Sequence, residues 1–180
     1  RSVHDIIPMG LQAFVLSRHA GCCVGLKLVV DTADTSAIID LTKIQSSIGS
    51  RDVYTRPVHI GKHDAALMRE SRLFNLRLPA VTEFQLHHAI NHDINSNSTN
   101  NTTASGKLGI IAVGKAVPEV TEALITLGAD DYNSKSIGLM SIGMPWPIAS
   151  QTLIDFASRY NEVLVIEEKR PIVEEQLALA

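Results

Sequence analysis

From Lys107 onward the chain alternates short, branched apolar runs with segments of helical periodicity, and this alternation restricts the fold more than any other feature. The runs 108–113, 137–142 and 163–166 have strand length. Between them, Val120, Ala123, Leu124 and Leu127 repeat at helical spacing, as do Leu153, Phe156, Ala157 and Tyr160. Pro118 opens the first of these helices and Gly128 is placed to end it. Units of this length in this order imply a largely parallel sheet flanked by helices, a three-layer α/β fold. The last run, Val163-Leu164-Val165-Ile166, reads as a strand covered on both faces. It stops abruptly in Glu167, Glu168, Lys169 and Arg170, and Pro171 is suited to opening a further helix. Ligands and partners of open α/β sheets dock at the carboxyl ends of the strands. A charge cluster at that exit is therefore the first place to look for function.

The bulk numbers remove several function classes. At 180 residues there is room for one ordinary domain, or for a compact domain with an appendage. Apolar residues make up 45% and charged residues 19%, a globular balance. The formal charge of −3 argues against a nucleic-acid footprint, which needs a basic face. No apolar stretch approaches the roughly 18–20 residues that span a bilayer. No secretory leader opens the chain, so a cytoplasmic location is expected. Cys22 and Cys23 are adjacent in an apolar stretch; the expectation is two small buried hydrophobes in a reducing compartment. The start at Arg1 and the stop at Ala180 inside an expected helix suggest a piece of a longer polypeptide.

The first forty residues read as helix, strand, strand. Ser2 and Asp5 form a pattern resembling a capping box, and Val3, Ile7, Leu11, Phe14 and Val15 follow at helical spacing. Pro8 should kink this helix or delay its start, and Gly21 should end it. Residues 24–30 and 37–41 read as strands, too few to bury their own faces. Helices are expected over 64–76 and over 79–91, the second opened by Pro79. Residues 95–105, NSNSTNNTTAS, cannot bury apolar area and read as a mobile loop.

Several candidate chemistries fail on physical grounds. GIIAVGKA at 109–116 almost spells a Walker A loop. Its four variable residues form the apolar strand itself, and Ala116 has no hydroxyl for magnesium. The preferred reading is that Gly114 permits a tight turn and Lys115 projects from the strand's carboxyl end. His88 and His92 share the i, i+4 spacing of zincins, but Ala89 stands where their glutamate would be, so a solvated helix end around His87, His88 and His92 is expected. Arg69, Arg72 and Arg77 could grip a phosphate, though a solvated helical face is the simpler reading. Two cysteines cannot supply the thiolates of a cluster or a structural zinc. No residue is assigned a catalytic, cofactor-binding or metal-binding role. The candidate site is an interface made by Lys115, Glu167, Glu168, Lys169 and Arg170, whose paired acids and bases can hold register at a domain or subunit contact.

Four segments together resemble a known family. LSRHAGCCVGLKLVVDT, LGIIAVGKA, and IGMPWPI followed by EVLVIEEKRPIVEEQL are similar to indolepyruvate ferredoxin oxidoreductase, of the thiamine-diphosphate 2-oxoacid oxidoreductase group. The resemblance covers most of the chain in the same order, and GMPWP combined with VIEEKR is its most specific part. It implies that residues 1–41 are the tail of a thiamine-pyrimidine-binding domain. Residues 42–106 would be a linker with two helices and the Asn/Ser/Thr loop, and 107–180 a transketolase C-terminal-like domain. Family members decarboxylate an aryl-pyruvate on thiamine diphosphate with magnesium, pass electrons through iron–sulfur clusters to ferredoxin or a similar acceptor, and release an acyl-CoA; the cofactor performs the carbanion chemistry. This chain has no Gly-Asp-Gly…Asn motif, no cysteine ladder and no glutamate-bearing pyrimidine site. The resemblance therefore implies a non-catalytic structural portion, inactive alone, partnered by the other domains or subunits. The competing reading is a stand-alone α/β interaction module docking a protein at its charged strand exit; a weaker one is small-ligand binding at Gly114-Lys115.

Overall fold

The computed structural model describes residues 3–40, 42, 44, 63–94, 106–129 and 136–180. The Asn-rich tract 95–105 lies outside them. Two compact units divide the chain, the first ending at Phe84 and the second running from Gln85 to Ala180. Among the described residues no helix is long and apolar enough to cross a membrane.

The first unit is helical. A 3₁₀ turn, Val3–Asp5, leads into α1 (Ile6–Ala20). Asp5 takes the N-cap position of α1, and the Ser2 half of the expected capping box lies outside the described residues. Pro8 does not delay the helix, because it falls in the first turn, where backbone N–H groups have no intrahelical acceptor anyway. Gly21 ends α1 as expected, with φ +66° and its N–H donating to the Ser17 carbonyl at 2.9 Å. The strands expected at 24–30 and 37–41 are absent from the described residues. The backbone from 22 to 29 joins no sheet, a short helix α2 (Val30–Ala33) follows, and 35–40 is irregular. A branched apolar run becomes a strand only when a neighbouring strand satisfies its backbone, and none among the described residues does.

Further on, α3 (Ala66–Arg72), a π-helical turn (Leu73–Arg77) and α4 (Leu78–His88) form one continuous helical run. The expected break before Pro79 is replaced by that π turn, in which the Leu78 N–H reaches back five residues to the Leu73 carbonyl. Pro79 has no N–H and its ring crowds the carbonyl four residues before it, so the wider turn relieves both problems. His19 is buried: its Nε2 donates to the Ala80 carbonyl at 3.1 Å and its ring lies 5.5 Å from that of Phe84. Of the two cysteines, Cys22 is only half-buried and Cys23 is exposed, which corrects the expectation of two core residues. Burial pushes the Cys22 thiol up, against the lowering pull of Arg77.

In the second unit, β1 (Asn91–Asp93), β2 (Gly106–Val113), β3 (Ile137–Ile142) and β4 (Tyr160–Ile166) form an open mixed sheet in the order β1-β3-β2-β4. β2, β3 and β4 are parallel, and β1 runs antiparallel to β3. The helices α5 (Ala116–Thr126), α6 (Ser150–Ala157) and α7 (Ile172–Leu179) follow β2, β3 and β4 in turn. Strand alternation sorts the core into two layers. Ile110, Ala112 and Leu139 pack with Val117, Val120 and Leu124 of α5. On the other face Ile111, Met140 and Ile142 pack with Leu153 and Phe156 of α6 and Val173 of α7. Each such buried aliphatic or aromatic side chain stabilises by about 1.5–3 kcal/mol. The β/α order, the Ile137–Ile142 strand and the Gly128 stop (φ +65°) match expectation. Two details differ. Tyr160 begins β4 instead of continuing the helix, and β4 is an edge strand with Leu164 47% exposed, not a strand covered on both faces.

Tyr160 explains a pair of glycines. Gly109 and Gly138 are register partners, and the Tyr160 ring lies over both. A Cβ on Gly109 would sit 2.7 Å from Tyr160 Cδ2 and 2.9 Å from Phe156 Cε1; one on Gly138 would overlap the phenol oxygen. The Arg159 guanidinium, 5.2 Å from the Phe156 ring centre and 5.7 Å from that of Tyr160, pairs with Asp93 at 2.7 Å. This cluster ties β1 to the start of β4. Gly138→Ala is expected to cost about 1–3 kcal/mol through overpacking, and thermal melts should show that cost shrinking in a Tyr160→Ala background. Burial also raises the Tyr160 phenol above its ordinary value, opposed by Arg159 and aided by Asp93. The stability this contributes is full below about pH 10 and is lost as pH rises through the raised value. Alkaline unfolding of wild type against Tyr160→Phe checks the sign.

Candidate functional site: the carboxyl edge of the sheet

The three parallel strands end side by side, since Val113 is level with Ile142 and Ala112 with Ile166. Their exit loops therefore share one edge. The chain turns from β2 into α5 through Gly114, whose φ of +57° suits glycine and whose N–H donates to the Ile142 carbonyl at 2.9 Å. Residues 109–113 lie in β2, as the rejection of a phosphate loop required. Lys115 precedes α5, and its Nζ pairs with Glu119 at 3.2 Å.

The β3 exit, 143–149, is held by three carboxamide side chains. Asn91 Oδ1 accepts from the N–H groups of Gly143 and Met144, both at 2.9 Å, while its Nδ2 donates to the Met144 carbonyl at 3.0 Å. Gln85 Nε2 donates to the Pro147 carbonyl, and its Oε1 accepts from the Ala149 N–H at 3.2 Å. Gln176, on α7, donates to the Pro145 carbonyl at 2.7 Å and accepts from the Ile148 N–H at 3.0 Å. Gln85 and Asn91 are themselves buried and linked at 3.4 Å. A proline-rich loop cannot pair its own backbone; here side chains from α4, β1 and α7 replace the missing partners. The loop contains a cis peptide between Trp146 and Pro147 and leaves Trp146 60% exposed. The expected stiff turn is present, and its stiffness comes from elsewhere in the chain.

At the β4 exit Glu167 turns back onto α7. Its carboxylate accepts from the N–H groups of Ile172 (3.0 Å), Val173 (3.0 and 3.2 Å) and Glu174 (3.1 Å). These are first-turn donors without intrahelical acceptors, and the positive end of the helix dipole adds to the attraction. The N-terminus of α7, which could otherwise hold an anion, is filled by the chain's own carboxylate. Glu168, Lys169 and Arg170 are exposed, and Lys169 has φ +71°.

α5 covers one face of the sheet and α7 the other, and they follow the adjacent strands β2 and β4. Their N-termini thus diverge at a topological switch point, the crevice position where open α/β sheets bind. The fold brings Lys115 to one side of this point and Glu167 to Arg170 to the other. Other candidates separate. His88 ends α4 whereas His92 lies on β1 and accepts no shared helical face with it; its Nδ1 lies 3.1 Å from the Ala89 carbonyl. Arg72 pairs with Asp64 at 3.1 Å, Arg69 Nε donates to the Asp64 carbonyl at 3.1 Å, and Arg77 is buried, so they form no common anion grip. Among the described residues, no group of three or more His, Cys, Asp or Glu is arranged to hold a metal ion. The carboxamides Gln85, Asn91 and Gln176 were missed by sequence reasoning. Their only local signal is polar residues within otherwise apolar elements.

Against known proteins, residues 98–180 match the indolepyruvate oxidoreductase domain family. The match takes in β2, β3, β4 and the helices α5, α6 and α7, and leaves β1 outside it. The indolepyruvate oxidoreductase subunit IorA of Thermococcus kodakarensis is 38% identical over 71 residues, 39% of this chain. The proteins of the same name from Pyrococcus horikoshii and Pyrococcus abyssi are equally similar over the same share. The match spans 10% of the length of each of these relatives. No solved structure matches.

Replacing Asn91 with Leu should strand two N–H groups and a carbonyl, at about 1–3 kcal/mol for each group left unsatisfied in the protein. Trp146 is the only tryptophan, so fluorescence anisotropy reads loop order directly and should fall. Glu167→Ala should cost about 0.5–2 kcal/mol, the usual range for a lost N-terminal cap. Faster amide exchange confined to the first turn of α7 would identify the cause.

Proposed function

We propose that the chain is a non-catalytic structural portion of an indolepyruvate ferredoxin oxidoreductase, an enzyme performing thiamine-dependent oxidative decarboxylation of an aryl-2-oxoacid to an acyl-CoA. The observation that carries this reading is the coincidence of the family match, 98–180, with the α/β sheet unit whose exit loops are pinned in place. The open mixed sheet, helix-covered on both faces, supports reading 107–180 as a transketolase C-terminal-like domain. Residues 1–41 would then be the tail of a thiamine-pyrimidine-binding domain, with 42–106 joining the two.

Thiamine diphosphate with magnesium, iron–sulfur clusters and CoA belong to the whole enzyme under this reading. The described residues do not fit them. Glu167 is bound to α7 amides, Glu119 to Lys115 and Asp93 to Arg159, and the two cysteines are neighbours in sequence. No step is assigned to these groups here. What this chain's residues do is present a fixed edge: Lys115, Glu167, Glu168, Lys169 and Arg170 form the contact with the other domains or subunits, and Glu167 sets the direction of α7. Ferredoxin or a similar acceptor would meet the whole enzyme elsewhere.

Two measurements test the proposal. The purified chain should give no turnover of indolepyruvate with a dye acceptor; turnover without added subunits would sink the non-catalytic reading. Charge reversal at Glu168 or Lys169 should weaken assembly with the remaining enzyme at least tenfold while leaving the melting temperature within a few degrees. Equal losses of folding and assembly would count against an interface there.

A further inference from the structure

Among the described residues the sheet has two edges, and only one is protected. β1 is three residues long, Asn91-His92-Asp93, too short and polar to recruit another strand. β4 is seven residues long, Tyr160-Asn161-Glu162-Val163-Leu164-Val165-Ile166, and among the described residues only β2 pairs with it. It carries no proline, no lysine and a single charge, so it has none of the usual devices that blunt an edge. Its outer backbone groups are a template for a further strand, and Leu164 stands beside them nearly half exposed.

We propose that β4 is a self-association surface that pairs antiparallel with β4 of a second copy of this chain, joining two four-stranded sheets into one of eight. Charge and shape choose the occupant and the register. With the two-fold axis at Leu164, Leu164 faces the partner copy's Leu164, Val163 faces the partner copy's Val165, and Glu162 faces the partner copy's Ile166. Leu164 and the two valines then meet apolar neighbours across the seam, and no two charges oppose each other. A two-fold at Glu162 would instead oppose two carboxylates, which is destabilising. The strand is thus complementary to itself in one register and blocked in a near alternative. This inference does not depend on the family reading: it concerns the 180-residue chain as it stands.

Sedimentation velocity and light scattering across a dilution series should show a dimer that dissociates on dilution. Leu164→Lys should weaken association at least tenfold with far-UV circular dichroism unchanged, whereas Leu127→Lys, on the exposed side beyond α5, should leave it intact. Should Leu164→Lys disturb folding, a second experiment decides. In a Cys22→Ser, Cys23→Ser background, Leu164→Cys should yield a covalent dimer under mild oxidation, because directly opposed residues hold their Cβ atoms about 4.5–5.5 Å apart. Ile125→Cys in the same background should not. A wild-type chain that stays monomeric at every concentration, or a Leu164→Cys chain that fails to cross-link, overturns the proposal.

Discussion

The loop between β3 and α6 could not exist in this form without side-chain amides to complete its backbone hydrogen bonds. Pro145 and Pro147 offer carbonyls but no N–H groups, so the segment has no ladder or helix of its own to join. Asn91, Gln85 and Gln176 answer from three separate elements. The result fastens Gln85, β1 and α7 of the sheet unit to its carboxyl edge. Buried polar networks of this kind stabilise only when every member is satisfied, and here each carboxamide both donates and accepts. The loop's geometry is thus a property of the whole unit.

The same logic governs the other exits. Glu167 meets the open donors of α7, Gly114 allows the abrupt turn into α5, and Arg159 bridges the rings of Phe156 and Tyr160 to Asp93 at the opposite end of the strands. One end of the sheet is fastened by aromatic and ionic packing and the other by backbone capture. A unit so constructed presents a surface of fixed shape. A surface of fixed shape loses less entropy when anything docks on it.

The fold of residues 106–180 was largely readable because its signals are local. Apolar runs of strand length alternate with i, i+3, i+4 stripes, and Gly114 and Gly128 mark turns that need positive φ. Failures cluster where the deciding partner is distant. Residues 24–30 have strand composition but, among the described residues, no strand beside them. β1 is three polar residues whose pairing with β3 has no local periodicity. The helix expected to restart at Pro79 runs on because a π turn absorbs the proline. At the candidate edge, Lys115 and the charge cluster were visible from position alone. Glu167's role was not, because a charge run does not reveal which member will meet a helix terminus five residues later. The carboxamide network was invisible for the same reason: Gln85 and Gln176 lie far from the loop in sequence.

The stacking of Tyr160 over Gly109 and Gly138 has an evolutionary consequence. Three positions on three strands share one volume, so none can change alone without leaving a void or a collision. A relative carrying a bulkier residue at either glycine should also carry a smaller ring or an aliphatic at the tyrosine position. Chimeras between family members would have to transfer all three together.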